Sequence, residues 1–260
     1  MKIFLTAINA KYIHSNLAVY SLRAYAKDYQ EQIAIGEYTI NNRVDYILEQ
    51  IYKAKPDVLC FSCYIWNISY VKNLIREVHN VEGIERIRLG SLEPRIVTDG
   101  FAAALAGLPK ICPHFHLSLQ SGCDATLQRM NRRYDTREYE EGCQILRKYF
   151  DHPAITTDVI VGFPKESEEE FQKSYDFVDS IRFYETHIFK YSRRQGTKAA
   201  AMDGQLTEAE KAFRSEKMIA MHHRHASDYE KSMLGKELEV LIEEEYEKGG
   251  QTWYLGHSRE

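Results

Sequence analysis

The segment HFHLSLQSGCDATLQRMNRRY, residues 114–134, passes from an apolar alternation through a polar, glycine-marked turn into a basic helix. It sets Ser118, Gln120 and Ser121 at the mouth of a buried strand, with Arg132 and Arg133 behind them. A hydroxyl and an amide in that place can bind carboxylate or ribose oxygens, or can simply reverse the chain. Glu93 in GSLEP closes another strand, and VGFPKE and KYSRRQGT close two more. Ligands of parallel α/β proteins sit at the carboxyl ends of the strands, where the loops are free to vary. Four polar turns in register suit a zwitterionic, ribose-bearing ligand. The Glu93 carboxylate meets its amine, the Ser118 hydroxyl and Gln120 amide meet carboxylate or ribose, and backbone amides near Gly122 and Gly162 complete the rim.

The remaining polar groups point less sharply. Arg129, Arg132 and Arg133, and then Arg193, Arg194 and Lys198, make two basic clusters beside these turns. On one face they would grip RNA phosphates with steep salt dependence; solvated surface charge is an equal alternative. His222, His223 and His225 share a long helix, but no carboxylate or thiol groups with them, so they read as a solvated face and no metal set is assigned. The acidic run Glu166–Glu170 opens a helix, where negative charge complements the dipole. Catalytic residues are not identified by type or spacing alone.

Composition narrows the class. A chain of 260 residues, 44% hydrophobic and 28% charged, holds one large α/β domain or two smaller ones. A net charge of -4 gives no global basic field, so DNA is not an expected partner and RNA would need a local patch. The five cysteines are an odd number without an export signal, and no stretch reaches the ~18 apolar residues of a membrane span. A cytoplasmic protein without membrane contact is expected.

The elements that must carry these groups alternate. Strands are expected at 3–8, 33–40, 57–65, 84–91, 114–119, 155–163 and 186–191. Helices are expected at 15–29 (with Leu17, Tyr20, Leu22 and Tyr25 inward), 44–53, near 69–79, at 97–106, in one long region to Phe150, and at 168–181. Thr207-x-x-Glu210 is a capping box that opens a helix to about Met233. Strands separated by such helices imply parallel sheets, and the seven could form one continuous sheet. The tail from Gly235 is β-rich, with a Gly249-Gly250 turn.

The strings IERIRLGSLEPRIVTDG through NRRYDTREY, TTDVIVGFPKESEEEF and FKYSRRQGTKAAAM resemble the radical S-adenosylmethionine methylthiotransferases, nearest to the branch acting on threonylcarbamoyladenosine in tRNA. The likeness covers about residues 82–260. It implies the later strands of a partial (βα) radical-SAM barrel over 82–232 and the truncated start of an RNA-binding β-barrel over 233–260. It also implies a transferase for tRNA adenosine. Glu93, Ser118, Gln120 and Asp158 would line an S-adenosylmethionine site, with Phe189, Lys190 and Tyr191 bordering the adenine.

That family holds a 4Fe-4S cluster through CxxxCxxC, which leaves one iron open to chelate S-adenosylmethionine. No CxxxCxxC occurs here, and Cys60-x-x-Cys63 on a strand does not replace it. The resemblance therefore implies a protein inactive alone, a binding remnant, or one whose cluster ligands come from a partner. The front, residues 1–81, resembles the Rossmann-like cobalamin-binding domain of some radical S-adenosylmethionine enzymes. Their Asp-x-His-x-x-Gly motif has no match in NAKYIHSNLA, so His14 reads as a loop residue and cobalamin stays a candidate ligand of the domain.

Overall fold

The computed structural model describes residues 2–10, 16–62 and 67–260, with the side chains of 17 and 18 excepted. His14 and Cys63 lie outside the described residues. The chain divides into two compact units, Met1–Phe115 and His116–Glu260.

In the first unit, β1 (Ile3–Asn9) is the centre of a three-stranded sheet in the order β2-β1-β3, with β2 at Ile33–Thr39 and β3 at Val58–Ser62. Both pairings are parallel. The run IFLTAIN is buried almost throughout, as a central parallel strand covered on both faces requires. Helices α2 (Val44–Ala54) and α3 (Ile68–His79) bury Ile47 and Ile51, and Val71, Leu74, Ile75 and Val78, at helical spacing. Then follow β4 (Ile87–Leu92), α4 (Asp99–Ala106) and the start of β5 (Ile111–Leu117). The expected seven-stranded sheet is not formed, because the front ladder ends at three strands among the described residues.

The first helix departs from expectation in length and in facing. Helix α1 covers Leu17–Tyr25 and gives way to a 3-10 turn at Lys27–Gln32. Tyr20, Leu22 and Tyr25 are exposed, Tyr25 by 90%, while among the described α1 side chains Val19 joins the core of Leu5, Ala7 and Ile33; the Leu17 side chain lies outside the described residues. Tyr20 is held outward by its hydroxyl, which donates to Glu37 Oε2 at 2.7 Å.

In the second unit the end of β5 is followed by β6 (Ala154–Val161) and β7 (Glu185–Lys190), neighbours in that order, with β6 and β7 parallel. The long helical region expected before Phe150 is two helices, α5 (Asp124–Arg129) and α6 (Thr136–Tyr149). Asn131 breaks it at a φ of 59°, and Asp135 restarts it with a capping box to Glu138. Helix α7 (Glu168–Ile181) begins on the Ser167–Glu170 capping box, and α8 (Glu208–Ser232) on Thr207–Glu210. Strands β8 (Leu241–Lys248) and β9 (Gln251–His257) form an antiparallel hairpin, as the tail's composition suggests. No described helix is long and apolar enough to cross a membrane.

Candidate functional site

Period-two alternation sorts the side chains of β5–β7 onto two faces. On β5 and just beyond it, Leu117 and Leu119 are buried, whereas His116, Ser118 and Gln120 are partly open. On β6, Thr157, Val159 and Val161 are buried, and Asp158 and Ile160 are partly open. Register sets Thr156 beside Glu185, Asp158 beside His187 and Ile160 beside Phe189. The open face thus carries a polar cluster. His116 Nε2 lies 3.1 Å from Asp158 Oδ2, and His116 Nδ1 lies 2.9 Å from Thr156 Oγ1. Ser118 Oγ donates to Asp158 Oδ2 at 3.5 Å. Burial alone would raise the Asp158 pKa. Hydrogen bonding to His116, the charges of His116 and His187 and the Ser118 hydroxyl outweigh it, holding the carboxyl below its ordinary value.

The buried face holds the open one in place. Tyr139 donates its hydroxyl to the Leu117 carbonyl at 2.7 Å, and Thr157 donates to the same oxygen at 2.6 Å. Tyr134 donates to the carbonyls of Ser118 and Leu119 at 2.8 and 2.9 Å. Gln120 continues the ladder past the end of β5: its N–H donates to the Asp158 carbonyl and its carbonyl accepts from Ile160 N–H, at 2.8 and 2.9 Å. It does so at a φ of 72°, a left-handed conformation costly for a residue with a Cβ. Tyr134 and Tyr139 escape a sequence reading, because tyrosines at such spacing look like ordinary core.

Two rim groups expected from sequence are already used. Gly122 N–H donates to Ser174 Oγ at 2.8 Å, and a Cβ at 122 would meet the Ser174 carbonyl oxygen at 2.7 Å. Gly162 N–H donates to Glu166 Oε2 at 2.7 Å, with φ at 72° and Lys211 Cγ 2.5 Å from where a Cβ would stand. Both glycines serve close packing of the turn against a helix, so neither amide is left for a ligand. Glu166 is itself a structural residue, buried and bound to Arg214 Nη1 at 2.7 Å.

The adenine-bordering trio also splits. Phe189 is 51% exposed and shares the open face by register. Lys190 has the opposite parity, and its charge acts on Glu208 of α8. Tyr191 packs edge-on against Phe163 at 5.2 Å and under Lys211, and its buried hydroxyl has no hydrogen-bond partner among the described residues. In the first unit, Glu93 Oε1 accepts from Arg95 at 3.0 Å, while its buried Oε2 also lacks a partner.

The basic clusters separate as well. Arg132, Arg133, Arg193, Arg194 and Lys198 are exposed. Arg129 is not free for RNA, because it forks onto both carboxylate oxygens of Glu170 at 2.8 and 2.6 Å. The α8 histidines are not a uniform solvated face. His225 is buried with Nε2 2.8 Å from Asp179 Oδ1, and His222 Nδ1 accepts from Thr186 N–H at 3.3 Å. A shallow groove of about 820 Å³, lined by Asp151–Pro153 and Arg182 among others, lies where β6 and β7 begin, at the opposite strand ends from the polar turns.

A family model described as the Radical SAM superfamily matches residues 26–178. The tRNA-2-methylthio-N(6)-dimethylallyladenosine synthase of Syntrophus aciditrophicus is 40% identical over 170 residues, covering 65% of this chain and 37% of that protein. The protein of the same name from Streptomyces coelicolor is 39% identical over 183 residues, covering 70% and 36%. The chain therefore spans little more than a third of these relatives' length. Coproporphyrinogen III oxidase (HemN) from Escherichia coli, a radical SAM enzyme, aligns with a TM-score of 0.50 at 12% identity, over 86% of this chain and 53% of that one, a likeness of fold alone. With more than half of its residues inside the family match and its parallel α/β frame shared, the chain belongs to the radical SAM superfamily.

Proposed function

We propose that this chain is the positioning part of a tRNA methylthiotransferase, with S-adenosylmethionine bound along the open face of β5–β7. The observation that carries the reading is the polar row itself: Ser118, Gln120 and Asp158 on one face, beside an exposed Phe189 and the unpartnered Tyr191 hydroxyl. The Ser118 hydroxyl and Gln120 amide bind the ligand's carboxylate or ribose oxygens, and the ionised Asp158 accepts from ribose hydroxyls. Phe189 and Tyr191 border the adenine; Lys190 contributes from behind. In the first unit, Glu93 keeps one carboxylate oxygen without a partner, an acceptor able to take an amine. Arg132, Arg133, Arg193, Arg194 and Lys198 hold RNA phosphates. The hairpin β8–β9, exposed along both strands, is the RNA-binding appendage.

S-adenosylmethionine held there would supply a deoxyadenosyl group for one-electron chemistry driven by an external electron source. The residues described do not fit the 4Fe-4S cluster that delivers the electron elsewhere in the superfamily. Cys112, Cys123 and Cys143 are buried in the fold, and burial pushes the Cys143 thiol up to about 12 and raises Cys60 as well. Burial thus disfavours the thiolates of Cys143 and Cys60, whereas cluster ligation needs thiolates. The group of three potential metal ligands among the described residues contains no cysteine. No electron-transfer step is therefore assigned to this chain, and cluster ligands would come from a partner polypeptide.

The modified nucleoside is proposed as threonylcarbamoyladenosine from the resemblance of the strand-end strings; the relatives bear the dimethylallyladenosine name. Cobalamin is a second reading for the front unit, favoured by its parallel β2-β1-β3 order, which puts a switch point beside β1. There Asn9, Asn16, Glu37 and Ser62 already bond to one another, so retention of hydroxocobalamin colour after desalting is a stringent test. The main reading is tested by anaerobic reconstitution with iron and sulfide and an assay for deoxyadenosine. No product is expected from the chain alone; robust S-adenosylmethionine cleavage would overturn the positioning role.

A further inference from the structure

We propose that His116, Asp158 and His187 form a binding site for a divalent transition-metal ion of the zinc type, through two imidazole nitrogens and one carboxylate oxygen, with a fourth position open. The site rests on three adjacent strands and shares Asp158 with the proposed S-adenosylmethionine face, but it is argued from the His116–Asp158–His187 geometry alone and is tested without that ligand. One ligand atom from each residue lies within 4.8 Å of the other two. Zinc bonds of 2.0–2.2 Å in a tetrahedron put ligand atoms about 3.3 Å apart. His116 Nε2 and Asp158 Oδ2 already stand at 3.1 Å. The remaining approach falls to His187, whose side chain is 43% exposed and free to adjust its rotamer.

Three features distinguish this trio from a simple histidine–aspartate hydrogen bond. The two imidazoles lie 5.7 Å apart with their planes tilted by only 31°, converging on the same carboxylate. The other nitrogen of His116 is engaged by Thr156 Oγ1 at 2.9 Å, the kind of outer partner that fixes the orientation of a metal-bound imidazole. Glu185 stands 3.8 Å from His187 Nδ1 and Ser118 3.5 Å from the Asp158 carboxylate, so the other two ligands have polar supports as well. Two imidazoles and one carboxylate are the three-ligand set of open zinc sites, and also of non-haem Fe(II) sites.

The experiment is calorimetric titration of chelator-treated protein with ZnCl2 alone, followed by Co2+ loading to read coordination from the visible spectrum. One equivalent of Zn2+ is expected, with Co2+ bands of a nitrogen- and oxygen-ligated ion. His187→Ala, an exposed substitution that leaves folding intact by circular dichroism, should weaken Zn2+ at least 100-fold. Thr156→Val should weaken it about tenfold, as loss of an outer-shell partner does. His223→Ala, on the exposed part of α8, should leave binding unchanged. No Zn2+ uptake, uptake that survives His187→Ala, or intense thiolate-to-cobalt charge-transfer bands would each overturn the site.

Discussion

Replacing Arg214 with methionine tests how the turn after β6 is held. The Glu166 side chain is 1% exposed and its Oε2 accepts from two donors, Gly162 N–H and Arg214 Nη1, each at 2.7 Å. Burial raises the Glu166 pKa, and the Gly162 amide and the Arg214 guanidinium pull against that rise without cancelling it. Methionine keeps much of the arginine stem's packing near Phe171, which the guanidinium covers at 5.1 Å. What is lost is the counter-charge, and removing one partner of a buried pair costs about 3–5 kcal/mol. At about 2–4 °C per kcal/mol for a chain of this size, the thermal midpoint at pH 7 should fall by roughly 6–20 °C. A carboxyl whose folded pKa is raised contributes stability below its unfolded pKa and loses it as pH rises through the folded one. Without Arg214 the folded value moves higher still, so the penalty should be large at pH 7 and shrink towards pH 4.5. Thermal unfolding by circular dichroism at the two pH values reads this directly, and Glu166→Gln added to Arg214→Met should recover most of the loss. An equal loss at both pH values, or a double variant as unstable as the single one, would refute the buried-charge argument.

Other perturbations separate strain, support and binding. Gln120→Gly should raise the thermal midpoint by about 2–4 °C, because glycine takes the 72° φ without the roughly 1 kcal/mol penalty, while S-adenosylmethionine affinity falls. A midpoint that drops would show that the amide, not the backbone, stabilises the turn. Tyr139→Phe strips a donor from the buried Leu117 carbonyl and should cost about 1–2 kcal/mol by urea unfolding, with Thr157 still bonded to that oxygen. A loss beyond 3 kcal/mol would mean the ring's packing had changed too.

The sequence makes the strand–helix rhythm legible because the parallel strands are mostly short apolar runs and α4, α6, α7 and α8 each begin on a side-chain cap. It misleads where a local signal competes. Helix α1 offers leucines and tyrosines at helical spacing, yet only Val19 among its described side chains meets the core, since the Tyr20 hydroxyl is drawn outward to Glu37. The region before Phe150 looks like one helix unless Asp135-x-x-Glu138 is read as a second start. The site is half legible. Ser118, Gln120 and Asp158 follow from strand-end polarity and resemblance, and share a face. His116 and Asp158 are 42 residues apart, and only register brings them and His187 together. The sequence leaves the glycine amides without partners because Ser174 and Glu166 belong to elements whose packing no local pattern specifies.

The central claim is that the open face of β5–β7 binds S-adenosylmethionine. Isothermal titration of the protein with S-adenosylmethionine, repeated for Ser118→Ala and Asp158→Asn, tests it most directly. The account predicts saturable binding to the unaltered chain and at least a tenfold loss in each variant, with unchanged circular dichroism. No heat from the unaltered chain, or equal affinity in all three proteins, would contradict it.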